Sequence, residues 1–259
     1  MTGPVAIAAR RVKWEQRMFW RNPPAAAFTF AFPLMFLVVF NAINGNSRVR
    51  LPGGSVRFAQ YYVPGIVAFG IISACYTNLA ITLVFRRELG VLKRTRGTPV
   101  SPGAYLFGLV GNSLVIALIL SALTTVAGVV LYGVQFPGRY LGLAVTIAAG
   151  AFCFSCLGMA VSALVPNEDA GPAIVNFAIF PLLFISGTFG AVDDGSGLAR
   201  LAGLFPIRHL NQLMIAVFSP FTHGTGIVLS DVLVIVGWGL AGLVLAVTRF
   251  RWEPRQARS

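Results

Sequence analysis

The distribution of charge along the chain constrains its fold more than any other feature of the sequence. The chain has 20 basic and 8 acidic side chains, and all of them can be placed outside six long apolar stretches except Asp231, at the edge of the last. A charge at the centre of a bilayer costs at least about 2.5 kcal/mol, and a helix of about 20 apolar residues crosses the hydrocarbon. The pattern therefore predicts an all-α integral membrane protein.

Six transmembrane helices are expected, at residues 24–43, 61–85, 105–134, 140–165, 171–189 and 226–247. An even number of crossings puts both termini on the same side. Basic residues gather before the first span, between spans two and three and after the last span, whereas the opposite loops hold only six of the 20. Because Lys and Arg are enriched in cytoplasmic loops, both termini are predicted to be cytoplasmic.

The composition argues against a soluble nucleic-acid-binding protein, although the net charge is +12. The basic residues lie in short segments beside apolar stretches, where anionic lipid headgroups supply the opposite charge. Membrane lipids are therefore the predicted partner, and nucleic acid is not. Cys75, Cys153 and Cys156 all fall in apolar stretches, which favours packing over disulfide, redox or metal chemistry. No cofactor or metal site is predicted in this chain.

Residues 1–23 are predicted to form an amphipathic helix that lies in the cytoplasmic interface. Its basic residues recur every three or four positions and so share one face: Arg10, Lys13, Arg17 and Arg21. Trp14 and Trp20 suit the headgroup boundary. Two interpretations remain open, an anchor that fixes orientation and a surface that also docks a cytoplasmic partner.

The segment 86–102, between spans two and three, is more ordered than a simple connection requires. We expect a short cytoplasmic helix in which Leu89 and Leu92 form a small apolar face. Gly97 and Pro99 stop this helix, and the pair Ser101 and Pro102 suits the cap and first position of span three.

Glu88 within this segment has no basic residue three or four positions ahead of it. Its carboxylate is therefore predicted to be free to meet a partner from elsewhere. One interpretation of the segment is a positive-inside anchor with a convenient turn. The other is a docking helix that transmits force from a cytoplasmic motor.

The chain resembles the permeases of type-2 ATP-binding cassette (ABC) exporters. The resemblance rests on an Arg-Glu-x-Gly-x-Leu-x-Arg-x-x-x-Thr-Pro pattern, formed here by Arg87, Glu88, Gly90, Leu92, Arg94, Thr98 and Pro99. Further matching segments are Arg21-Asn22-Pro23, Tyr62 to Ile66, Asn176 to Gly187, and Leu204-Phe205-Pro206. The sequence departs from the pattern after Gly187, where an expected proline is missing.

The resemblance implies a half-transporter in the bacterial plasma membrane, in which Glu88 to Arg96, including Leu89, forms the coupling helix seated in a groove of the ATPase. It also implies two copies of a cytoplasmic ABC ATPase and a second permease, identical or homologous. Residues 190–218 are expected to form a short re-entrant segment that closes the outer end of the pathway. The sequence supports one point independently, because it contains no G-x-x-x-x-G-K-[ST] phosphate loop. ATP and Mg²⁺ are therefore expected in the partner chain, and this chain is not expected to be an enzyme.

Uncharged polar and aromatic side chains inside the spans are candidates for the pathway or the dimer interface. The resemblance places spans two and five there, and the candidates on them are Asn78, Thr82, Asn176, Phe177, Phe180 and Phe184. The alternatives are that the polar residues serve helix packing and that the phenylalanines face lipid.

A permease that exports a hydrophobic or amphipathic substrate, such as a drug, an antibiotic or a lipid, is the leading functional hypothesis. A permease for lipid-linked polysaccharide is one alternative. An ion-coupled secondary transporter is another, but it requires an ionisable group in mid-membrane, and Asp231 lies near a span end. An intramembrane enzyme is disfavoured because His209 and His223 have no convincing ligand or nucleophile partners. Asp193 and Asp194 are interpreted as a solvated turn.

Overall fold

The described part of the chain is mostly helical. A computed structural model describes residues 4–45, 47–51, 53–97, 101–190, 197–250 and 252–253. The elements in chain order are α1 (Pro4–Trp20), α2 (Pro23–Asn44), β1 (Arg48–Leu51), β2 (Gly54–Arg57), α3 (Phe58–Ile72), a π-helical segment (Ser73–Asn78), α4 (Leu79–Glu88), α5 (Val91–Arg96), α6 (Pro102–Tyr132), α7 (Tyr140–Leu164), α8 (Gly171–Ile185), α9 (Gly197–Ala202), α10 (Pro206–Phe218) and α11 (Leu229–Arg249).

Within the described ranges, five helical runs are long and apolar enough, by length and composition, to cross a membrane. They are Pro23–Asn44, Phe58–Glu88, Pro102–Tyr132, Tyr140–Leu164 and Leu229–Arg249. The predicted span 171–189 differs, because α8 ends at Ile185 and has only 15 residues. At about 1.5 Å per residue it is about 22 Å long, less than the roughly 30 Å of a hydrocarbon core. The chain is a multi-pass membrane protein, and the count of six spans stays a prediction.

The helix α3 is the centre of the fold. Fourteen of its 15 residues are buried, Gln60 being the exception. It packs against α2, α6, α7 and α10. By contrast, only 22% of the apolar window of α2 and 28% of that of α11 are buried within the chain. The surfaces of α2 and α11 are therefore left for lipid or for another subunit.

The helix ends follow the local signals in the sequence. The Asn22 side chain accepts a hydrogen bond from the backbone N–H of Ala25 at 3.5 Å, and proline occupies the first turn of α2. The Ser101 hydroxyl accepts from the N–H of Ala104 at 3.3 Å, with Pro102 as the first residue of α6. The expected cap of span three is confirmed.

A two-stranded hairpin, which the sequence analysis did not predict, joins α2 to α3. The strands β1 and β2 are antiparallel, with Arg48 opposite Arg57 and Val49 opposite Val56. The ring of Phe221 covers the turn, since a Cβ at Gly54 would lie 2.5 Å from it. The hairpin precedes the helical run Phe58–Glu88, and α5 follows it, so the two lie at opposite ends of that run. We call these ends of the bundle the hairpin end and the α5 end.

The predicted outer segment 190–218 contains two short helices, α9 and α10. Along α10, nine of 13 residues are buried, and the helix packs against α3, α7 and α11. Residues 191–196, which include Asp193 and Asp194, lie outside the described part. Whether the segment re-enters the membrane stays a prediction.

Candidate coupling site and transport groove

The corner between α4 and α5 is set by Gly90. Its backbone has φ +70° and ψ 10°, the left-handed conformation that glycine adopts without steric cost. The carbonyl of Gly90 then accepts from the N–H of Arg94 at 3.1 Å, which begins the next helical turn. The chain therefore ends α4 at Glu88 and starts the short helix α5 in a new direction.

Arg86 connects this corner to the N-terminal helix. Its guanidinium donates to both carboxylate oxygens of Glu15, at 2.9 and 2.7 Å, and to the Tyr105 hydroxyl at 3.0 Å. Arg11, one turn before Glu15, lies 3.3 Å from the same carboxylate. Glu15 is only 3% exposed. The network joins α1, α4 and the start of α6 through one buried carboxylate.

The sequence analysis missed Glu15, although a signal was present. Glu15 is the sole acidic residue before Glu88. A single acid in a strongly basic helix requires a reason, and burial against Arg86 supplies one, because a buried carboxylate must be paired.

Arg87 connects the same corner to the end of α7. Its guanidinium donates to the carbonyl of Ser162 at 2.8 Å and to that of Val165 at 2.6 Å. These carbonyls belong to the last turn and the cap of α7, where the helix dipole is negative and carbonyls lack helical partners. Arg87 is 2% exposed, so this cap is completely enclosed.

The free carboxylate predicted for Glu88 is wrong. Its Oε1 accepts from Nε of Arg87 at 2.7 Å, and its side chain is only 8% exposed. The prediction considered helical neighbours three and four positions away, whereas the pairing joins adjacent residues at the end of α4. Glu88 thus neutralises a buried arginine.

The helix α5 has one buried and one exposed face. Leu92 is fully buried in an apolar cluster with Leu83, Tyr105 and Met159. Leu89, just before α5, is 59% exposed. The predicted shared apolar face of these two leucines is therefore wrong. The exposed residues near Leu89 are basic: Lys93, Arg94 and Arg96. Thr98 and Pro99 lie outside the described residues.

A groove runs along the π-helical segment, between α2 and α8. Two cavities, of about 240 and about 230 Å³, share the lining residues Phe32, Ser73 and Thr77. The first also contains Asn78, and the second contains Asn176 and Phe180. Three residues that the sequence analysis chose as pathway candidates thus lie along the same groove, between α2 and α8.

The other three candidates lie elsewhere. Thr82 donates to the Asn78 side chain at 3.4 Å and lines a separate cavity, of about 240 Å³, together with Glu15 and Arg86. Phe177 and Phe184 point outward and are 81% and 59% exposed. The roles of all six in transport or dimerisation stay predictions.

The π-helical segment is held in place by both of its neighbours. At Gly158 of α7, an added Cβ would lie 2.9 Å from the carbonyl oxygen of Tyr76 and 3.1 Å from that of Cys75. The Tyr76 hydroxyl donates to the carbonyl of Val175 in α8 at 3.3 Å. Such segments are rare and occur frequently at functional sites. No group of three metal-ligating side chains occurs among the residues described.

An ion pair at the hairpin end was also missed. His209 of α10 lies 2.7 Å from the carboxylate of Asp231, and its other ring nitrogen lies 2.9 Å from the carbonyl of Gly203. The hydrogen bond with Asp231 raises the pKa of His209, against the opposing effect of burial. The sequence did not predict this pairing. The pairing also explains how Asp231 is accommodated at 9% exposure.

The long apolar helices indicate a multi-pass membrane protein, and the comparison with known families shows its class to be that of transport permeases. Residues 10–245 match the ABC-2 type transporter family. The chain belongs to that family.

A curated relative from Cyanophora paradoxa, with the printed name "Putative transport permease ycf38", is 27% identical over 168 residues. The matching region covers 62% of this chain and 56% of the relative, so the chain spans little more than half of that protein's length. Permeases of the ABC-2 family associate with an ATPase subunit and a partner permease, and are generally not catalytic themselves.

Proposed function

We propose that this chain is the permease subunit of an ABC exporter in the bacterial plasma membrane, with both termini in the cytoplasm. Together with a second permease, identical or homologous, it forms a path for a hydrophobic or amphipathic substrate out of the cytoplasm. Two copies of a separate ATPase bind ATP and Mg²⁺ and drive transport. The observation that carries this proposal is the exposed basic face of α5 on a corner fixed by the partly buried Arg86 and the buried Arg87.

The exposed face of α5 is suited to docking in a groove of the ATPase. Leu89 supplies an apolar centre, and the basic side chains of α5 surround it: Lys93, Arg94 and Arg96. A groove of complementary character would have an apolar floor and acidic rims. Because Leu92 is completely buried and Gly90 sets the turn, the position of α5 is defined by the permease itself.

The corner transmits movement of α5 to the rest of the bundle. Arg86 joins it to α1 through Glu15, and Arg87 joins it to the end of α7. Removal of one partner from a buried ion pair costs about 3–5 kcal/mol. The Arg86–Glu15 ion pair therefore resists separation, as do the charge-assisted hydrogen bonds from Arg87 to carbonyls of α7. A displacement of α5 then moves the ends of α1, α4 and α7 together.

The groove along the π-helical segment supports the choice of an amphipathic substrate. Phe32, Phe69 and Phe180 give it an apolar wall, and Thr77 and Asn176 give it hydrogen-bonding groups. A mixed wall of this kind is typical of ligand pockets, in which a few polar groups orient an otherwise apolar ligand.

A second permease copy would find extensive apolar surface beside this groove. On α2 and α8 the side chains of Phe28 and Phe177 are 75% and 81% exposed. Cysteines introduced at these two positions distinguish contact between permeases from contact with lipid. Cross-linking between two permease copies would indicate a permease interface, and its absence would indicate contact with lipid.

The decisive experiment is purification of the tagged chain from its native host in mild detergent, followed by mass spectrometry. We expect an ATPase with a phosphate-binding loop at near one-to-one stoichiometry. Lys93→Glu and Arg94→Glu together should abolish its recovery, whereas Arg249→Glu, which alters an exposed arginine at the end of α11, should not. Recovery of the chain alone, with transport that follows an ion gradient and ignores ATP, would establish the secondary-transporter alternative. ATP-dependent export of lipid-linked polysaccharide would establish the other alternative.

A further inference from the structure

The hairpin end contains a cavity of about 350 Å³ that takes no part in the proposed coupling or groove. Its walls come from β1, the start of α3, the residues after α8, the helix α10 and the start of α11. Small-molecule sites commonly have volumes of about 300–1,000 Å³. The cavity is thus large enough for a small polar molecule or a lipid headgroup.

Arg50 supplies a positive charge to this cavity. It is exposed, and its guanidinium has no hydrogen bond or ion pair with any residue in the part of the chain that the structure describes. The pairing register puts Arg48, Arg50, Ser55 and Arg57 on the same face of the hairpin, because side chains alternate along a strand. Arg57, opposite Arg48, donates to the carbonyls of Tyr132 and Gly133 at 3.2 and 3.1 Å, which places its charge against the end of α6. The face still carries three positive charges and no acidic residue, and it therefore favours an anion.

The acidic side chain in the cavity wall is already occupied. Asp231 is bound to His209 at 2.7 Å, so its carboxylate is compensated within the protein. Arg208, at 9% exposure, also lines the cavity, so that two arginines and one carboxylate contribute charge to its wall. Neutral polar side chains lie beside them, among them Gln212, Thr222 and Tyr61, whose hydroxyl donates to the carbonyl of Gly187 at 2.9 Å. This excess of positive charge, together with the neutral polar groups, suits an anion that carries hydroxyl groups.

We propose that this cavity binds a singly charged phosphate ester with hydroxyl groups, the chemistry of an anionic glycerophospholipid headgroup, and that Arg50 forms the ion pair with the phosphate. A guanidinium can donate two parallel hydrogen bonds to phosphate oxygens. The location of the cavity is consistent with a lipid headgroup as the ligand. The cavity lies at an end of the helices that cross the membrane, where headgroups are found. The site is independent of the proposed transport function.

The test uses the full-length protein in detergent and measures lipid binding by native mass spectrometry. We expect phosphatidylglycerol to bind more tightly than phosphatidylcholine, and Arg50→Gln to weaken phosphatidylglycerol binding about tenfold or more. The matched control is Arg48→Gln, which removes an exposed arginine two residues away that does not line the cavity. This control should leave the affinity nearly unchanged.

Equal weakening by the two substitutions would overturn the proposal, because it would show diffuse attraction to the hairpin. Equal binding of the two lipids would also overturn it. Soluble glycerophosphoglycerol, a singly charged phosphodiester with hydroxyl groups, identifies the source of the phosphate. Displacement of phosphatidylglycerol from the parent, but not from Arg50→Gln, supports a site open to ligands from solution. Binding that depends on Arg50 and resists glycerophosphoglycerol supports a membrane lipid as the source.

Discussion

Replacement of Arg86 by methionine tests the contact that joins α5 to the N-terminal helix. It removes both hydrogen bonds to Glu15, at 2.9 and 2.7 Å, and leaves that carboxylate with Arg11 alone at 3.3 Å. Because the Glu15 side chain is 2% exposed, water cannot compensate it, and we expect a loss of about 3–5 kcal/mol in the free energy of unfolding. Reversible unfolding in mixed micelles of mild detergent and dodecyl sulfate measures this loss.

The structure predicts an asymmetry between the two partners. Glu15→Gln should cost less than Arg86→Met, because the Arg86 side chain is 19% exposed and keeps its bond to the Tyr105 hydroxyl at 3.0 Å. The double variant should regain about 1–3 kcal/mol relative to the sum of the single losses. Arg96→Met, which alters an exposed arginine of α5, should stay within about 0.5 kcal/mol of the parent. Strictly additive losses would refute the inference that a buried ion pair holds the corner.

Three further substitutions address other parts of the molecule. Gly158→Val should lower the thermal stability in detergent, because its side chain would press on carbonyl oxygens of the π-helical segment; Gly237→Val, where an added Cβ meets nothing within 4 Å, is the control. Glu88→Ala should uncouple transport from ATP hydrolysis while membrane insertion persists, because it leaves the buried guanidinium of Arg87 without its carboxylate partner at the corner that positions α5; parent-like transport and ATP hydrolysis would contradict this. The stability that His209 gains from Asp231 should be complete below the ordinary imidazole pKa of 6.5 and be lost as pH rises through its raised folded pKa. Thermal melts of the parent and His209→Gln should therefore converge at high pH, with the charge of nearby Arg208 unchanged, and a constant difference across pH would contradict this pairing.

The helices were largely predictable because membranes impose a simple rule on sequence. Apolar length and the exclusion of charge locate a crossing helix without reference to its neighbours. The cap at Ser101 and Pro102 was predictable for a similar reason, since capping involves residues three positions apart. The prediction was less accurate for the fifth span, where the helix is shorter than the span that was expected. The span expected to end at residue 189 stops as a helix at Ile185.

The candidate site depended on contacts between residues distant in sequence. Glu15 and Arg86 are separated by 71 positions, and no periodicity connects them. The partners of Arg87 are carbonyl groups in the last turn of α7, which any residue types could supply. The hairpin was missed because each strand has only four residues, too few for an alternating pattern to be distinguished from a loop. Tertiary packing fixed all three features.

The π-helical segment divides span two into halves under different constraints, and this division connects the coupling site to the groove. On one side, α3 is enclosed by four helices, so its position is fixed by the core. On the other side, the end of α4 is joined to α1 through Arg86 and to α7 through the buried Arg87. Under the proposed function, a displacement of α5 moves the second half and leaves the first in place. The relative displacement of the two halves must then be accommodated between α3 and α4, at Ser73–Asn78. The helix already departs from α geometry there. Because Ser73 and Thr77 line both cavities of the groove, the movement would change its shape directly.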